Sequence, residues 1–205
     1  MQQQPINLNL YQSSYIGVFV GKHPTVADIY ILIYFFMLKY CMSNYKRFYL
    51  QNHSYYLTIV TQNRQPILID NIELLRDSFR RSKRKYDYKI DAIVILPDHI
   101  HTIITPKHSK DYSKIIAHIK RSFTYGLDRE TKDKSKFNLT SSSYKRNISG
   151  VWQKRFYEHT IRDEKDYNTI LNYIYTNPIK HGLVKNIDDW KYSSRRVFSH
   201  ENTNK

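Results

Sequence analysis

The chain has 205 residues, 40% of them hydrophobic, enough for one domain with a real core and too many for a disordered basic tail. Its 33 lysines and arginines against 18 aspartates and glutamates give a formal net charge of +15, which points to a polyanionic partner, nucleic acid before membrane surface. A single cysteine, Cys41, excludes a disulfide framework and a cysteine-based zinc site, and fits a reducing cytoplasm.

Residues 1–41 differ in character from the rest of the chain. Met1–Lys22 is polar without a period, and Ile29–Leu38 is apolar but too short to span a bilayer, which takes about 18–20 residues. No stable membrane association is therefore expected. Met42-Ser43-Asn44-Tyr45-Lys46-Arg47 reads like a natural beginning, so 1–41 is expected to be an upstream or dispensable extension of a 42–205 body. The extension holds only two of the lysines and one aspartate, so nearly all the net charge belongs to that body.

Tyr55–Thr61 is β-branched and aromatic, as a strand is. Ile69–Arg84 has helical apolar spacing at Ile72, Leu75 and Phe79, and ends in the cations Arg80, Arg81, Lys83, Arg84 and Lys85. Cations suit a helix C-terminus electrostatically, but five in six positions exceed what that needs and make phosphate contacts a candidate role. Tyr88–Leu96 reads as a second strand, Pro97-Asp98 as a turn and His99–Thr105 as a third strand. Tyr112–Leu127 reads as a helix carrying Lys120 and Arg121. Asp128–Gly150 is polar and aperiodic, expected to be a long loop. Val151–Ile161 returns to strand-like residues, and Asp163 can cap a helix that Asn177-Pro178 stops near Thr176. The order βα-ββ-αβ predicts an α+β ferredoxin-like sandwich, an antiparallel sheet with helices on one face.

In His99-Ile100-His101 the strand period of two puts both imidazoles on one face. Such a pair can chelate a metal; it can also be two polar residues near a sheet edge. On the helix after Asp163, the apolar stripe is Tyr167, Ile170, Leu171, Ile174 and Tyr175. Tyr173 lies beside that stripe, on a flank shared with Asn177 four residues on. That is how a nucleophile beside a metal ligand would look, and equally how a half-exposed tyrosine and a helix-ending amide would look.

Pro97-Asp98-His99-Ile100-His101, Trp152-Gln153-Lys154-Arg155-Phe156-Tyr157-Glu158-His159, Ile161-Arg162-Asp163, the block from Tyr173 to Val184 and Asp189-Trp190 together resemble the REP-associated tyrosine transposases. These are HUH single-tyrosine transposases of the insertion-sequence-200-like group, and the likeness runs from about Met42 to Phe198. The block around Asn177-Pro178-Ile179-Lys180-His181-Gly182 is far more specific than the two histidines alone. The resemblance implies a divalent metal, Mg²⁺ or Mn²⁺, held by His99, His101 and Asn177, with Tyr173 as nucleophile. It implies a single-stranded DNA endonuclease and strand transferase that forms a 5′-phosphotyrosine at a hairpin or palindrome, as monomer or homodimer. A non-cutting DNA or RNA hairpin-binding relative is the alternative. Lys154, Arg155, Arg162, Lys180 and His181, in the same blocks, join the basic residues above as candidate DNA contacts. The 128–150 stretch looks longer than the family's usual connection, and 1–41 has no counterpart.

Overall fold

The computed structural model describes residues 49–137 and 149–195. The 1–41 extension, the beginning at Met42 and residues 138–148 of the polar stretch lie outside the described residues. Strands β1 (Tyr55–Val60), β2 (Tyr88–Ile95), β3 (His99–Pro106) and β4 (Tyr157–Thr160) form one sheet in the order β2-β3-β1-β4. Every neighbouring pair is antiparallel. Helices α1 (Ile72–Lys85), α2 (Tyr112–Gly126), α3 (Arg129–Phe137) and α4 (Glu164–Lys180) complete an α+β fold with the strand order of a ferredoxin-like sandwich.

Strand alternation sorts the core into two layers. Tyr55, Leu57, Ile59, Ile100 and Ile104 meet Leu75 and Phe79 of α1 and Ile115, Ile116 and Ile119 of α2. Each fully buried side chain of this kind stabilises the fold by roughly 1.5–3 kcal/mol. On the other face Tyr56, Ala92, Val94, Leu96 and Ile103 meet Ile174 of α4. The helices thus cover both faces rather than one. The cause is the central strand β3, which is buried from His99 to Ile104, so neither face can be left to water. A bulge between Ile90 and Ala92 re-phases β2, which lets Ala92, Val94 and Leu96 point to the α4 side. The free edge of β2 is closed by the segment after α4: Ile95 N–H donates to Tyr192 O and Ser194 N–H to Ile93 O, each at 2.9 Å.

Two elements depart from the sequence reading, each for a local reason. Within the stretch expected to be a loop, Arg129–Phe137 is helical. Its stability comes from polar pairs rather than an apolar stripe: Asp128 accepts from Thr131 N–H, and Glu130–Lys134 and Arg129–Asp133 are i,i+4 ion pairs. Ser135 is buried and donates to Gln65 Oε1 at 2.9 Å. Gly150 makes that docking close. Its φ is +74°, and a Cβ there would stand 2.3 Å from Ser135 O. Gly150→Ala is expected to destabilise the protein by about 2 kcal/mol or more in urea unfolding, from a left-handed alanine plus a backbone clash.

Helix α4 starts where expected, with the Asp163 carboxylate accepting from Asp166 N–H at 2.8 Å. It does not stop before Pro178 but continues to Lys180. Pro178 falls in the last turn, where its missing N–H removes a single bond. The true stop is Gly182, at φ +67°, with Gly182 N–H donating to Ile179 O and Leu183 N–H to Pro178 O. This is a Schellman ending, which glycine favours because it adopts positive φ freely. It keeps Asn177 inside the helix and leaves His181 at its C-cap.

Candidate active site

The β2–β3 turn and the pairing of β1 with β3 assemble the site. Leu96 N–H donates to His99 O at 2.8 Å across Pro97-Asp98, while Thr61 clamps Asp98 O with both its N–H and its hydroxyl, each at 2.9 Å. In this register His99 lies opposite Val60 and His101 opposite Thr58. The two imidazoles share the α4 face of the sheet, each 3% exposed, with ring centroids 4.8 Å apart. From α4, the Tyr173 ring comes within 5.3 Å of His101 and 6.2 Å of Tyr56, centroid to centroid. Asn177, one turn later on the same helix, is 1% exposed. The structure therefore brings His99, His101, Tyr173 and Asn177 into one cluster.

Each ring is engaged at Nδ1 on its outer side, by a carboxylate at His99 and by hydroxyls at His101. His99 Nδ1 lies 2.5 Å from Asp98 Oδ1, and Asp98 Oδ2 accepts from Arg64 Nη1 at 3.0 Å. A carboxylate can only accept, so the neutral form of His99 has its proton on Nδ1 and its lone pair on Nε2. His101 Nδ1 is 2.8 Å from Tyr56 Oη and 3.0 Å from Thr58 Oγ1, and the Thr58 hydroxyl donates to Tyr56 Oη. His101 Nε2 is buried without a hydrogen-bond partner, and so is Asn177 Oδ1. Leaving one such atom unsatisfied costs about 1–3 kcal/mol. Two of them in one cluster, with a second imidazole alongside, suit a divalent cation bound through two imidazole nitrogens and an amide oxygen. Among the described residues no three His, Cys, Asp or Glu side chains converge as a metal group.

Electrostatics fit that use. Burial, followed by the neighbouring charges of His99, His181 and Arg64, pushes His101 well below the ordinary histidine range and keeps it in the neutral, ligating form. Burial opposes ionisation of Asp98, but its bonds to His99 and Arg64 prevail and hold the carboxyl at about 2. Burial raises the Tyr173 phenol, and hydrogen bonds with Asn177 and Tyr56 and the charge of Arg64 pull it partly back.

The basic candidates divide. Lys180 and His181 stand at the site: Lys180 Nζ is 4.7 Å from the centre of the Tyr173 ring, and the His181 ring is 5.1 Å from that of His99. Arg80, Arg81, Lys83, Arg84 and Lys85 are exposed on α1, which packs on the opposite face of the sheet from the histidines. Arg80 is engaged by Asp77 at 2.5 Å. Lys120 donates to Gln153 O at 2.6 Å, and Arg121, Lys154 and Arg155 are exposed. Arg162 is exposed with Nε 3.5 Å from Asp166 Oδ2, the oxygen that His159 Nε2 also meets at 2.8 Å. His159 thus ties β4 to the start of α4, and Trp152, 5% exposed against Phe123, is core. Tyr56, Thr58 and Arg64 carried no signal in the sequence, and Asp98 read only as a turn residue. Only the strand pairing and a distorted turn reveal them.

The family model described as IS200-like transposase matches residues 49–177 of the chain. A candidate REP-associated tyrosine transposase of Haemophilus influenzae is 42% identical over 155 residues, covering 75% of this chain and 85% of its own length. The REP-associated tyrosine transposase of Escherichia coli K12 is 34% identical over 155 residues, covering 75% and 82%. A solved structure of a REP-associated tyrosine transposase bound to a REP hairpin is similar with a TM-score of 0.62 at 32% identity, over 76% of this chain and 84% of that one. Among the described residues no helix is long and apolar enough to cross a membrane.

Proposed function

The chain belongs to the IS200-like transposases, enzymes that cleave and rejoin DNA, and from that membership we propose that it cuts single-stranded DNA beside a hairpin or palindrome through Tyr173. The observation that carries this reading is the placement of the Tyr173 phenol and the Asn177 amide on one flank of α4, over two buried histidines. A hairpin of the repetitive extragenic palindrome class is the proposed target, as in the hairpin complex of the similar solved structure.

Tyr173 Oη attacks the phosphorus; the Oη–P bond forms and the P–O3′ bond breaks. The phenol gives up its proton, the departing 3′ oxygen takes one up, and the products are a 5′-phosphotyrosine and a free 3′-OH. Phosphodiester energy is retained in the covalent link, so the 3′-OH can reseal the strand by the reverse step. The Tyr173 ring packs edge-on against Tyr56 and His101, which limits the directions from which the nucleophile can approach. Mg²⁺ or Mn²⁺, held by His99, His101 and Asn177, would polarise the phosphate and offset its charge, imidazole ligands leaning toward Mn²⁺. Lys180, its ammonium over the Tyr173 ring, and His181 are the proposed neighbouring phosphate contacts. The exposed cations of α1 would hold more distant backbone.

Labelled single-stranded DNA carrying such a hairpin, incubated with the protein and Mn²⁺, should give a band shift that survives denaturation and disappears with a chelator. Binding that weakens with salt but yields no covalent product under any metal condition would reduce the protein to a binding module.

A further inference from the structure

At the rim of the site stands a cation that the reaction above does not use. Arg64 ends the short turn Gln62–Arg64 that follows β1. Two successive residues there are left-handed without being glycine: Asn63 at φ 53° and Arg64 at φ 52°. Asparagine enters this region readily, but an arginine rarely does so unless its surroundings enforce it, and such strain gathers at functional sites. Here the enforcement is visible. Gln62 N–H donates to Val151 O at 2.9 Å, and the Gln65 side chain accepts from Ser135 of the docked helix α3, also at 2.9 Å.

The turn delivers the guanidinium to one place. Arg64 Nη1 lies 3.0 Å from Asp98 Oδ2, on the same carboxylate whose other oxygen orients His99. The Arg64 side chain is still 53% exposed. Its charge is felt by Tyr173, His101 and His181 together. A guanidinium has five N–H donors in a planar fork, and Asp98 accepts one, so Arg64 retains donors for a second anion. A phosphodiester presented to Tyr173 is such an anion, and its two non-bridging oxygens match that fork.

We propose that Arg64 anchors the scissile phosphodiester by hydrogen bonds to its non-bridging oxygens, with Asp98 positioning the guanidinium. The proposal rests on the single-strand cleavage reading above. Binding, not turnover, tests it. In a Tyr173→Phe background, hairpin DNA with a single neutral methylphosphonate moved along the unpaired flank is titrated against protein with Arg64 and with Arg64→Gln. Neutralising one position should weaken binding about tenfold when Arg64 is present and hardly at all in Arg64→Gln, a coupling expected of one charged hydrogen-bonded contact. Mn²⁺ affinity, measured by calorimetry without DNA, should stay within about threefold in Arg64→Gln, since the metal donors are untouched. Equal methylphosphonate sensitivity in both proteins would overturn the anchor, and so would loss of Mn²⁺ affinity without phosphate coupling, which assigns Arg64 to Asp98 and His99 alone. If the wild-type protein binds no single-stranded DNA, the cleavage reading falls first and this inference with it. If it cuts but shows no coupling, only Arg64 is misassigned.

Discussion

Tyr173→Phe is expected to eliminate the covalent protein–DNA product, a loss on the order of 10⁴-fold or more, as for removal of other nucleophiles. The substitution deletes one oxygen. The ring can keep its packing against His101 and Tyr56, and the Lys180 ammonium can stay over its face. Losing the hydroxyl in a half-buried position costs about 1 kcal/mol. The variant should therefore fold and hold hairpin DNA within about threefold of the wild-type affinity, because positioning and phosphate contacts remain. Two neighbouring tyrosines make the comparison sharp. Tyr175→Phe removes a hydroxyl 3.4 Å from Ser194 Oγ, and Tyr167→Phe removes another from the apolar side of the same helix. Both should still form the adduct. Gel electrophoresis after denaturation decides the matter, and a covalent product from Tyr173→Phe would end the assignment.

What could be read in advance came from periodicity. A strand alternates every residue and a helix returns every three to four, so His99 with His101, and Tyr173 with Asn177, could be paired within their own elements. Bringing the two pairs together took more: β1 had to set its register with β3, and α4 had to cross the face that the other helices leave open. Register is carried by cross-strand packing, which a single strand's pattern does not encode, so Thr58 opposite His101 and the Tyr56 bond to that ring were not legible. The end of α4 was misjudged because proline is a stop in general but a small loss in a last turn, and Gly182 supplies the real ending. Helix α3 was missed because its stability lies in charged pairs, which leave no apolar stripe. Arg64 gave no signal, since nothing in Gln62-Asn63-Arg64 announces two left-handed residues.

His101→Phe should remove metal binding and adduct formation while leaving the metal-free protein nearly as stable as before. The two halves of that expectation come from the same atom. His101 Nε2 is buried without a partner, which is a penalty in the metal-free protein and, on the proposed reading, a lone pair for the cation. Phenylalanine fills the ring's place and takes away both the ligand and the unsatisfied nitrogen, while Thr58 and Tyr56 still bond each other. For the unaltered protein, a divalent ion at about 100 times its dissociation constant adds roughly 2.7 kcal/mol of stability, a Tm rise of several degrees. In His101→Phe that rise should vanish. Acid gives an independent check on the metal-free state. His101 has a folded pKa well below that of the unfolded chain, so below about pH 6.5 the unfolded state binds the extra proton. Its contribution to stability is present above that pH and declines as pH falls toward the folded value, by at most about 1.4 kcal/mol per unit. Urea unfolding at pH 7.5 and 5.5 should show this decline in the wild-type protein and a flatter response in His101→Phe. An undiminished Mn²⁺-induced Tm rise in that variant would place the cation elsewhere and leave His101 as a buried structural ring.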